Sequence, residues 1–375
     1  PGISAGRRLL EEEEEEVDSS SEGEITFDRS RAGAHTYLGD RDDLQGSAPQ
    51  LESGLVHLPL LPLPEFVLFP GQILPLRLIG PEQMRVIEAA MGAAPPLRRL
   101  LAVVNVNVHD RSDYMMHRWC CTAEVKQYHQ EGLADCVNCV VVGRQRARLE
   151  ERTWVANPLV DDLTQVPVTV HKDEPSRGIP PAAANNSMFW GRWAYQPFDA
   201  FFLAAQVTKL VTHACPKIQA FEGTPLDLSY WLAANLPFSV SNRQALLSAD
   251  GDVERLRKEI SFIHIQSLTA IRCARCRSPV SNTRDVIDMS DNGPGGAFVN
   301  AHGVVHGLQT VASVQRRSVE LLGDPETEFS WFPGYAWTIA QCRSCNAHLG
   351  WRFTATSFDL RPQCFWGLSL ASVHT

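Results

Sequence analysis

The chain has 375 residues, of which 44% are hydrophobic and 21% are charged. This composition is typical of a globular protein with two or three cores, and it excludes a fibre, a wholly disordered chain and a small disulfide scaffold. The net charge is -9, but residues 1–30 alone hold 3 basic and 10 acidic side chains, so the rest of the chain is close to neutral. A near-neutral body lacks the basic field that holds phosphate backbones, and we expect no nucleic-acid partner.

Membrane and secretory signals are missing from the sequence. The richest apolar run, Leu55–Leu78, is interrupted by prolines and polar residues, so we expect no membrane span. Near the N-terminus, Arg7 and Arg8 are followed by two leucines and then glutamates, whereas a signal peptide needs a sustained apolar stretch. We therefore expect the ten cysteines to be reduced thiols and metal ligands rather than disulfides.

Residues 1–53 are predicted to be an acidic, disordered tail. The run Glu11–Glu16 is followed by Asp18, Glu22 and Glu24, and large apolar side chains are few. A segment of this composition cannot bury enough apolar surface to offset the entropy of ordering, so it stays solvated.

Residues 54–166 are predicted to form a compact β subdomain, because short runs rich in Val, Ile and Leu alternate with turn residues. The predicted strands are Leu58–Leu63, Ile73–Leu78, Leu101–Val108, Thr122–Tyr128, Cys139–Val142 and Arg146–Glu150.

Residues 167–269 are predicted to be a linker followed by helices. Pro and Ala dominate as far as Ser187, which favours an irregular connection. The predicted helices are Phe198–His213, Asp227–Leu236 and Arg243–Leu268. The last carries apolar residues at 3-4-3 spacing, Val253, Leu256, Ile260 and Ile263. A stripe of this kind is typical of a helix that packs against a core.

Three Cys-x-x-Cys pairs occur, at Cys136/Cys139, Cys273/Cys276 and Cys342/Cys345. The first pair borders a strand-like run, in which residues three apart point to opposite faces, so we interpret it as structural. The other two pairs contain Arg and small residues, where a strand can turn back and present two thiolates to one tetrahedral ion. They predict one closed zinc site of four cysteines.

The predicted zinc site would close a whole domain at residues 270–375. The spacing between Cys276 and Cys342 is 65 residues, which exceeds that of an ordinary zinc ribbon. Because unfolded thiols hold no preformed cage, metal binding would contribute directly to the folding of this domain.

Aromatic residues cluster around the second of these pairs. Trp331, Trp337 and Trp351 flank it, and Phe353 shares a face with Trp351 if that segment is a strand. Two interpretations remain open from the residues alone. The aromatic side chains either form the core of a small domain with few aliphatic residues, or they form a cage for a cation or a compact apolar ring.

Several longer motifs resemble the cereblon family. In the C-terminal domain they are Phe329-Ser-Trp-Phe-Pro-Gly-Tyr-Ala-Trp337, the pair Cys342/Cys345 and Gly350-Trp-Arg-Phe-Thr354. Asn300-Ala-His-Gly303 is similar to the Asn-Pro-His-Gly loop of the family except at Ala301, and Phe69-Pro-Gly-Gln-Ile73 is similar to its Lon-type N-terminal domain. The motifs follow the family's order and cover most of the chain.

The resemblance implies an α+β fold with a β-rich Lon-type domain, a helical bundle and an all-β, zinc-bound C-terminal domain of the β-tent (CULT) type. It implies a non-catalytic substrate receptor of a cullin-RING ubiquitin ligase, present in the cytoplasm and the nucleus. The bundle would dock on the DNA-damage-binding adaptor protein. The C-terminal domain would bind glutarimide drugs of the thalidomide class and proteins that end in a C-terminal cyclic imide.

The resemblance also implies the ligand-binding residues. Trp331, Trp337 and Trp351 would be the walls, Phe353 the base, and Asn300 would face the ligand from the covering loop. The backbone of Phe329 and Trp331 would bond the imide, and Ser330 and Tyr335 of the same motif would also belong to the ligand-binding site. Phe329 stands where the family commonly has His, so a side-chain hydrogen bond from that position is not expected.

Three alternative functions are suggested by parts of the sequence. A Lon-type domain suggests an ATP-dependent protease, but no Gly-x-x-x-x-Gly-Lys-[Ser/Thr] motif occurs, which excludes an ATPase on this chain. The zinc domain also resembles methionine sulfoxide reductases, in which Cys364, near Arg361, would be the nucleophile. The third alternative is a Lon-like binding module without a ligase partner.

Overall fold

The structure is a computed structural model that describes eight stretches of the chain. They are residues 25–110, 113–130, 136–150, 162–178, 192–212, 218–219, 221–265 and 270–374. They form a β-rich N-terminal part, a group of helices and a β-rich C-terminal domain, so the α+β prediction is confirmed.

Nine strands of the N-terminal part form one sheet. They are β1 Asp42–Asp43, β2 Gly54–Leu58, β3 Leu60–Pro64, β4 Ile73–Ile79, β5 Leu100–Asp110, β6 Asp113–Met116, β7 Trp119–Gln130, β8 Cys136–Leu149 and β9 Val166–Val170. The main order is β2-β9-β8-β7-β5-β3, with β1 on β7, β4 on β8 and β6 on β5. Helix α2, Pro81–Gly92, packs on this sheet over a large aliphatic cluster. The runs predicted at Cys139–Val142 and Arg146–Glu150 belong to the single long strand β8.

Four helices follow the sheet and share a second apolar cluster. They are α3 Ala200–Val211, α4 Pro225–Asn235, α5 Val240–Leu247 and α6 Gly251–Ile265. The single helix predicted at Arg243–Leu268 is wrong, because the chain turns between α5 and α6 and Gly251 adopts a φ of 83° there, a conformation that glycine tolerates. The predicted stripe does face the core, since Leu256, Ile260 and Ile263 are buried. No described helix is long and apolar enough to cross a membrane.

The C-terminal domain has two antiparallel sheets. The smaller has the order β11-β10-β18 and consists of β10 Ile271–Cys273, β11 Pro279–Ser281 and β18 Val373–His374. The larger has the order β12-β13-β17-β16-β15-β14 and consists of β12 Gly295–Val299, β13 Val305–Val311, β14 Val319–Glu326, β15 Tyr335–Cys342, β16 His348–Ala355 and β17 Cys364–Ser369. Strand β15 runs from an aromatic cluster at Tyr335 to the cysteine cluster at Cys342.

Residues 25–53 differ from the predicted disordered tail, whose residues 1–24 lie outside the described part. This segment includes the short helix α1, Ser30–Gly33. Phe27 is buried, and its ring lies 5.5 Å from that of Tyr335. Further on, the carbonyl of Leu38 accepts a hydrogen bond from Asn138 of β8 at 3.1 Å. The segment is ordered because its few apolar side chains are buried against two other parts of the chain, which local composition does not reveal.

The linker predicted from residue 167 is also wrong over residues 167–178; residues 179–187 lie outside the described part. Strand β9 crosses the predicted boundary at 166/167 and pairs with β2 and β8. Beyond it, Asp173 accepts a hydrogen bond from Arg146 Nε at 2.8 Å. Pairing with distant strands therefore overrides the turn-like composition of this stretch.

Candidate functional site

The two C-terminal Cys-x-x-Cys pairs form turns with the same backbone pattern. In each, the first cysteine's carbonyl accepts a hydrogen bond from the N–H four residues later, Arg277 at 2.9 Å and Asn346 at 2.8 Å. Arg277 and Asn346 also share the left-handed conformation, with φ of 63° and 57°. The repeated turn leaves both sulfur atoms of a pair on one side. We call these turns the first and second knuckle.

The knuckles bring four sulfur atoms together, as the sequence predicted. The Sγ atoms of Cys273, Cys276, Cys342 and Cys345 all lie within 4.8 Å of one another. Cys273 and Cys345 are 3.7 Å apart, and Cys276 and Cys342 are 3.5 Å apart. Zn–S bonds of about 2.3 Å in a tetrahedron place the sulfur atoms about 3.8 Å apart, so the cluster has the spacing of a structural zinc site.

The thiols of the cluster differ in acidity: burial raises the pKa of Cys273 and of Cys342, whereas that of Cys276 is lowered. Hydrogen bonds with the side chain and backbone of Ser278 lower the pKa of the Cys276 thiol to about 6. A thiol with such a pKa is largely a thiolate at neutral pH, which is the form that binds metal. All four positions are taken by protein sulfur, so a zinc ion here would have no open coordination position for catalysis.

The remaining cysteines that the sequence singled out lie elsewhere. Cys136 and Cys139 are buried in β8, and burial raises the pKa of Cys139 to about 12, as expected of a structural thiol. Cys364 is half-buried at the start of β17. Arg361, its nearest cation in sequence, donates instead to the carbonyls of Phe358 and Leu360. That guanidinium therefore does not activate Cys364 as a reductase mechanism would require.

Strands β15 and β16 place three of the predicted aromatic residues on one face. Trp337 lies directly opposite Phe353, and Ile339 lies opposite Trp351. Because alternate residues of a strand share a face, Trp337, Trp351 and Phe353 point to the same side of the sheet. We call this surface the tryptophan face.

The loop before β15 contributes the third tryptophan. Trp331 is buried, its Nε1 donates to the carbonyl of Val299 at 2.9 Å, and its ring lies 4.7 Å from that of Trp351 in a T-shaped contact. Trp337 holds the same loop from the other side, since its Nε1 donates to the carbonyl of Glu328 at 2.9 Å. Both indole donors are used within the protein, so these rings offer their apolar surfaces.

Phe353 is the fully buried member of the tryptophan face and belongs to the core. Its ring stacks on Phe365 at 5.0 Å and meets Phe332 at 4.8 Å. Tyr335 is also a core residue, because it is buried and its hydroxyl donates to the carbonyl of Pro362 at 2.9 Å. Phe353, Tyr335 and Trp331 therefore belong to the core of the domain, whereas Trp337 and Trp351 are half-buried.

The side chains of Phe329 and Ser330 are used within the protein. Phe329 has a φ of 56°, and its ring contacts Tyr37 at 5.4 Å and the guanidinium of Arg77 at 5.6 Å. These contacts lie in the N-terminal segment and in β4. The hydroxyl of Ser330 donates to the carbonyl of Phe332 at 3.2 Å. The ring of Phe329 is therefore used in packing, and only its backbone is left to bond an imide, as the resemblance implies.

Asn300 organises the covering loop between β12 and β13. Its Oδ1 accepts hydrogen bonds from the backbone N–H groups of His302 at 3.0 Å and Val304 at 2.9 Å. Its Nδ2 lies 3.5 Å from His306 Nε2. The loop also packs on β4, where a side chain at Gly303 would collide with the carbonyl of Arg77. The carboxamide oxygen of Asn300 is thus occupied within its own loop.

Two histidines that the sequence did not single out flank Trp351. The ring of His306 lies 4.9 Å from it and that of His348 lies 4.6 Å from it. Burial lowers the pKa of His306 to about 4, and burial also lowers the pKa of His348. Both imidazoles are therefore neutral at pH 7. A lone histidine carries no spacing signal, so the sequence could not indicate them.

Comparisons with known proteins agree with this architecture. Residues 57–264 match the family model of the ATP-dependent protease La (LON) substrate-binding domain. Residues 269–375 match the Yippee zinc-binding/DNA-binding/Mis18 model. The chain is 30% identical to protein cereblon of Danio rerio over 98% of this chain and 94% of that protein. The chain belongs to the cereblon family. It is also 31% identical to protein cereblon of Xenopus tropicalis, over 100% of this chain and 93% of the relative.

Proposed function

We propose that this cereblon-family chain is a non-catalytic substrate receptor of a cullin-RING ubiquitin ligase, and that its tryptophan face binds cyclic imides. The ligands would be glutarimide drugs of the thalidomide class and proteins with a C-terminal cyclic imide, which other subunits then ubiquitinate. The observation that carries the proposal is the shared face of Trp337, Trp351 and Phe353, with Trp331 packed against Trp351.

The chemistry of this face favours a small, neutral ring. Its walls are indoles whose N–H groups are already bonded to carbonyls, and its neighbouring imidazoles are neutral at pH 7. Transfer of an apolar ring from water to this face is favourable. The imide edge of the ring needs hydrogen-bond donors and acceptors from the backbone. The loop that carries Phe329 and Trp331 would supply them.

Titration calorimetry of the full chain with unsubstituted glutarimide tests the binding site. We expect binding by the wild type and a loss of at least tenfold in affinity in Trp337→Ala, because one wall is removed while the more deeply buried Trp331 stays. The matched control is Trp193→Ala, a tryptophan that is 72% exposed in the helical part. No heat with the wild type would refute imide binding. Equal affinity in Trp337→Ala would refute this location.

We also propose that the helical part docks on the DNA-damage-binding adaptor. Four large aromatic side chains near the start of α3 are exposed: Trp193, Phe198, Phe201 and Phe202. Aromatic residues concentrated in one exposed patch are typical of a protein interface. The patch lies in the helical part, where the guanidinium of Arg257 in α6 is 5.1 Å from the ring of Phe198, whereas the tryptophan face lies in the C-terminal domain.

Co-purification of the full chain with this adaptor tests the docking proposal. Phe201→Asp should abolish recovery of the adaptor, because it places a carboxylate in the centre of an apolar contact. The matched control is Phe358→Asp, which changes a phenylalanine that is 91% exposed in the C-terminal domain. Recovery of the adaptor by Phe201→Asp at the wild-type level would contradict the proposal.

A further inference from the structure

The C-terminal domain is almost neutral, but its charges are segregated. Residues 270–375 contain nine arginines, no lysine and eight carboxylate side chains. Strand β14 has its Val319 end opposite Cys342 and its Glu326 end opposite Trp337, so Asp324, Glu326 and Glu328 lie away from the cysteines. Six arginines are exposed around the opposite, cysteine-bearing end, and we call them the knuckle arginines: Arg272, Arg275, Arg277, Arg316, Arg317 and Arg343.

Hydrogen bonds bring the three segments that carry the knuckle arginines together. Nη1 of Arg275, in the first knuckle, donates to the carbonyl of Cys345 in the second at 3.3 Å. The backbone N–H of Arg343 donates to the carbonyl of Ser318 at 3.0 Å, which joins the second knuckle to the Arg316–Arg317 turn. The six side chains thus belong to one end of one domain, although their positions in sequence span 72 residues between Arg272 and Arg343.

This end of the domain carries an excess of positive charge, since six exposed arginines lie there with Glu320 of β14, which is opposite Gln341. Among the residues that the structure describes, none of the knuckle arginines forms an ion pair with a carboxylate, whereas Arg146 pairs with Asp173. Clustered like charges repel one another and concentrate anions from solution. Guanidinium groups bind carboxylates through two parallel hydrogen bonds, so an arginine cluster is suited to a chain of carboxylates.

We propose that the acidic run Glu11–Glu16 of the same chain docks on the knuckle arginines. The run offers six consecutive carboxylates to six guanidinium groups. It is the strongest concentration of negative charge in the sequence, and neither the tryptophan face nor the zinc site uses it.

The length of the connection permits this docking. Phe27 is fixed beside Tyr335 at one end of β15, and Cys342 is at the other end of this eight-residue strand. A strand of that length spans about 24 Å. The nine residue-to-residue steps from Ile25 back to Glu16 can span about 30 Å, so the run can reach the knuckles from the point where the described chain begins.

Trans binding of a labelled peptide tests the proposal. The probe is a fluorescent peptide of residues 8–24, titrated by anisotropy at low salt against full chains. We expect a full chain with Glu11–Glu16 all changed to glutamine to bind the peptide at least fivefold more tightly than the wild type, because its own run no longer competes. Adding Arg316→Gln, Arg317→Gln and Arg343→Gln should weaken that binding at least tenfold, and raising the salt concentration should weaken it too.

The matched control changes three exposed arginines elsewhere, Arg85→Gln, Arg118→Gln and Arg284→Gln, and should leave peptide binding unchanged. One equivalent of bound zinc in each variant verifies that the knuckles are folded. Equal peptide affinity for the wild type and the glutamine-run chain would overturn the proposal. So would duplex DNA that binds both chains equally through the knuckle arginines, because the surface would then serve an external polyanion and the run would not cover it.

Discussion

The sheet of the N-terminal part covers one large aliphatic cluster, whereas the C-terminal domain packs rings on rings at one end and gathers four cysteines at the other. The first part can also bury charge, as at Arg146 and Asp173 beneath the helices. The C-terminal domain has fewer aliphatic side chains to bury, and its knuckle end contains the four clustered cysteine sulfur atoms. Chain length explains the difference in part, because a small domain buries a smaller fraction of its surface and more often needs a metal.

Removal of zinc should produce the largest effect and separate the two parts. A strong chelator, or Cys342→Ser, should unfold residues 270–374 and leave the Lon-type sheet and helices folded, since a structural zinc site contributes on the order of 10 kcal/mol. Hydrogen exchange of each part measures this directly. Cys139→Ser is the matched control and should retain zinc. Loss of protection in both parts together would show that they fold as one unit.

Loss of the buried ion pair should be the next largest effect and should act on the N-terminal part. Asp173 accepts hydrogen bonds from Arg146 and Tyr230, and Arg146 is 2% exposed. Asp173→Ala leaves that guanidinium buried without a counter-charge, and we expect the free energy of unfolding to fall by about 3–5 kcal/mol.

The control for this change is Glu52→Ala, which breaks the exposed pair with Lys172 and should cost about 1 kcal/mol or less. Urea denaturation of both variants gives the comparison. A cost for Asp173→Ala no greater than that for Glu52→Ala would mean that water reaches Arg146.

Glu259 of α6 should give the N-terminal part a pH dependence of its own. Its side chain is fully buried and neither carboxylate oxygen has a hydrogen-bond partner among the described residues. Burial raises its pKa well above the usual value, against the opposing charge of Arg255. The free energy of unfolding should therefore fall as the pH rises from the pKa of an unfolded glutamate towards the raised pKa of the folded state, because only the unfolded chain ionises there.

Glu259→Gln should abolish that pH dependence and raise stability at pH 7, because the amide is neutral in both states and ionisation no longer favours the unfolded chain. Urea denaturation of wild type and variant at pH 5 and pH 7 measures both effects, with the exposed Glu254→Gln as a control. The same pH dependence in wild type and Glu259→Gln would show that Glu259 is ionised in the folded protein.

The smallest effect is expected at the segment that joins the two parts. The hydroxyl of Tyr37 accepts a hydrogen bond from the backbone N–H of Val299 at 3.2 Å. Tyr37→Phe keeps the ring and removes this bond, so the stability of the C-terminal domain should fall by about 1 kcal/mol. Thermal unfolding measures the change. Tyr128→Phe, which removes a hydroxyl that donates to Gln130 at 3.3 Å in the N-terminal part, should have no effect.

The cysteine cluster and the tryptophan face were predictable because their residues recur at fixed spacings. Two Cys-x-x-Cys pairs specify two knuckles, and alternate residues of one strand share a face wherever the strand lies. Residues 25–53 and 167–178 were not predictable from their composition, since their order comes from contacts with distant strands. The positions of His306 and His348 beside Trp351 were also not predictable, because a single histidine has no characteristic spacing in the sequence.

The sequence by itself determined the domain order, the four clustered cysteines and the aromatic residues, since each rests on local spacing or on a contiguous motif. The tertiary structure alone decided which aromatic residues border a surface and which are core, and where the ring of Phe329 lies. It also decided that a near-neutral domain collects six arginines at one end. Net charge is a sum over the chain, whereas an electrostatic surface depends on where folding places each charge.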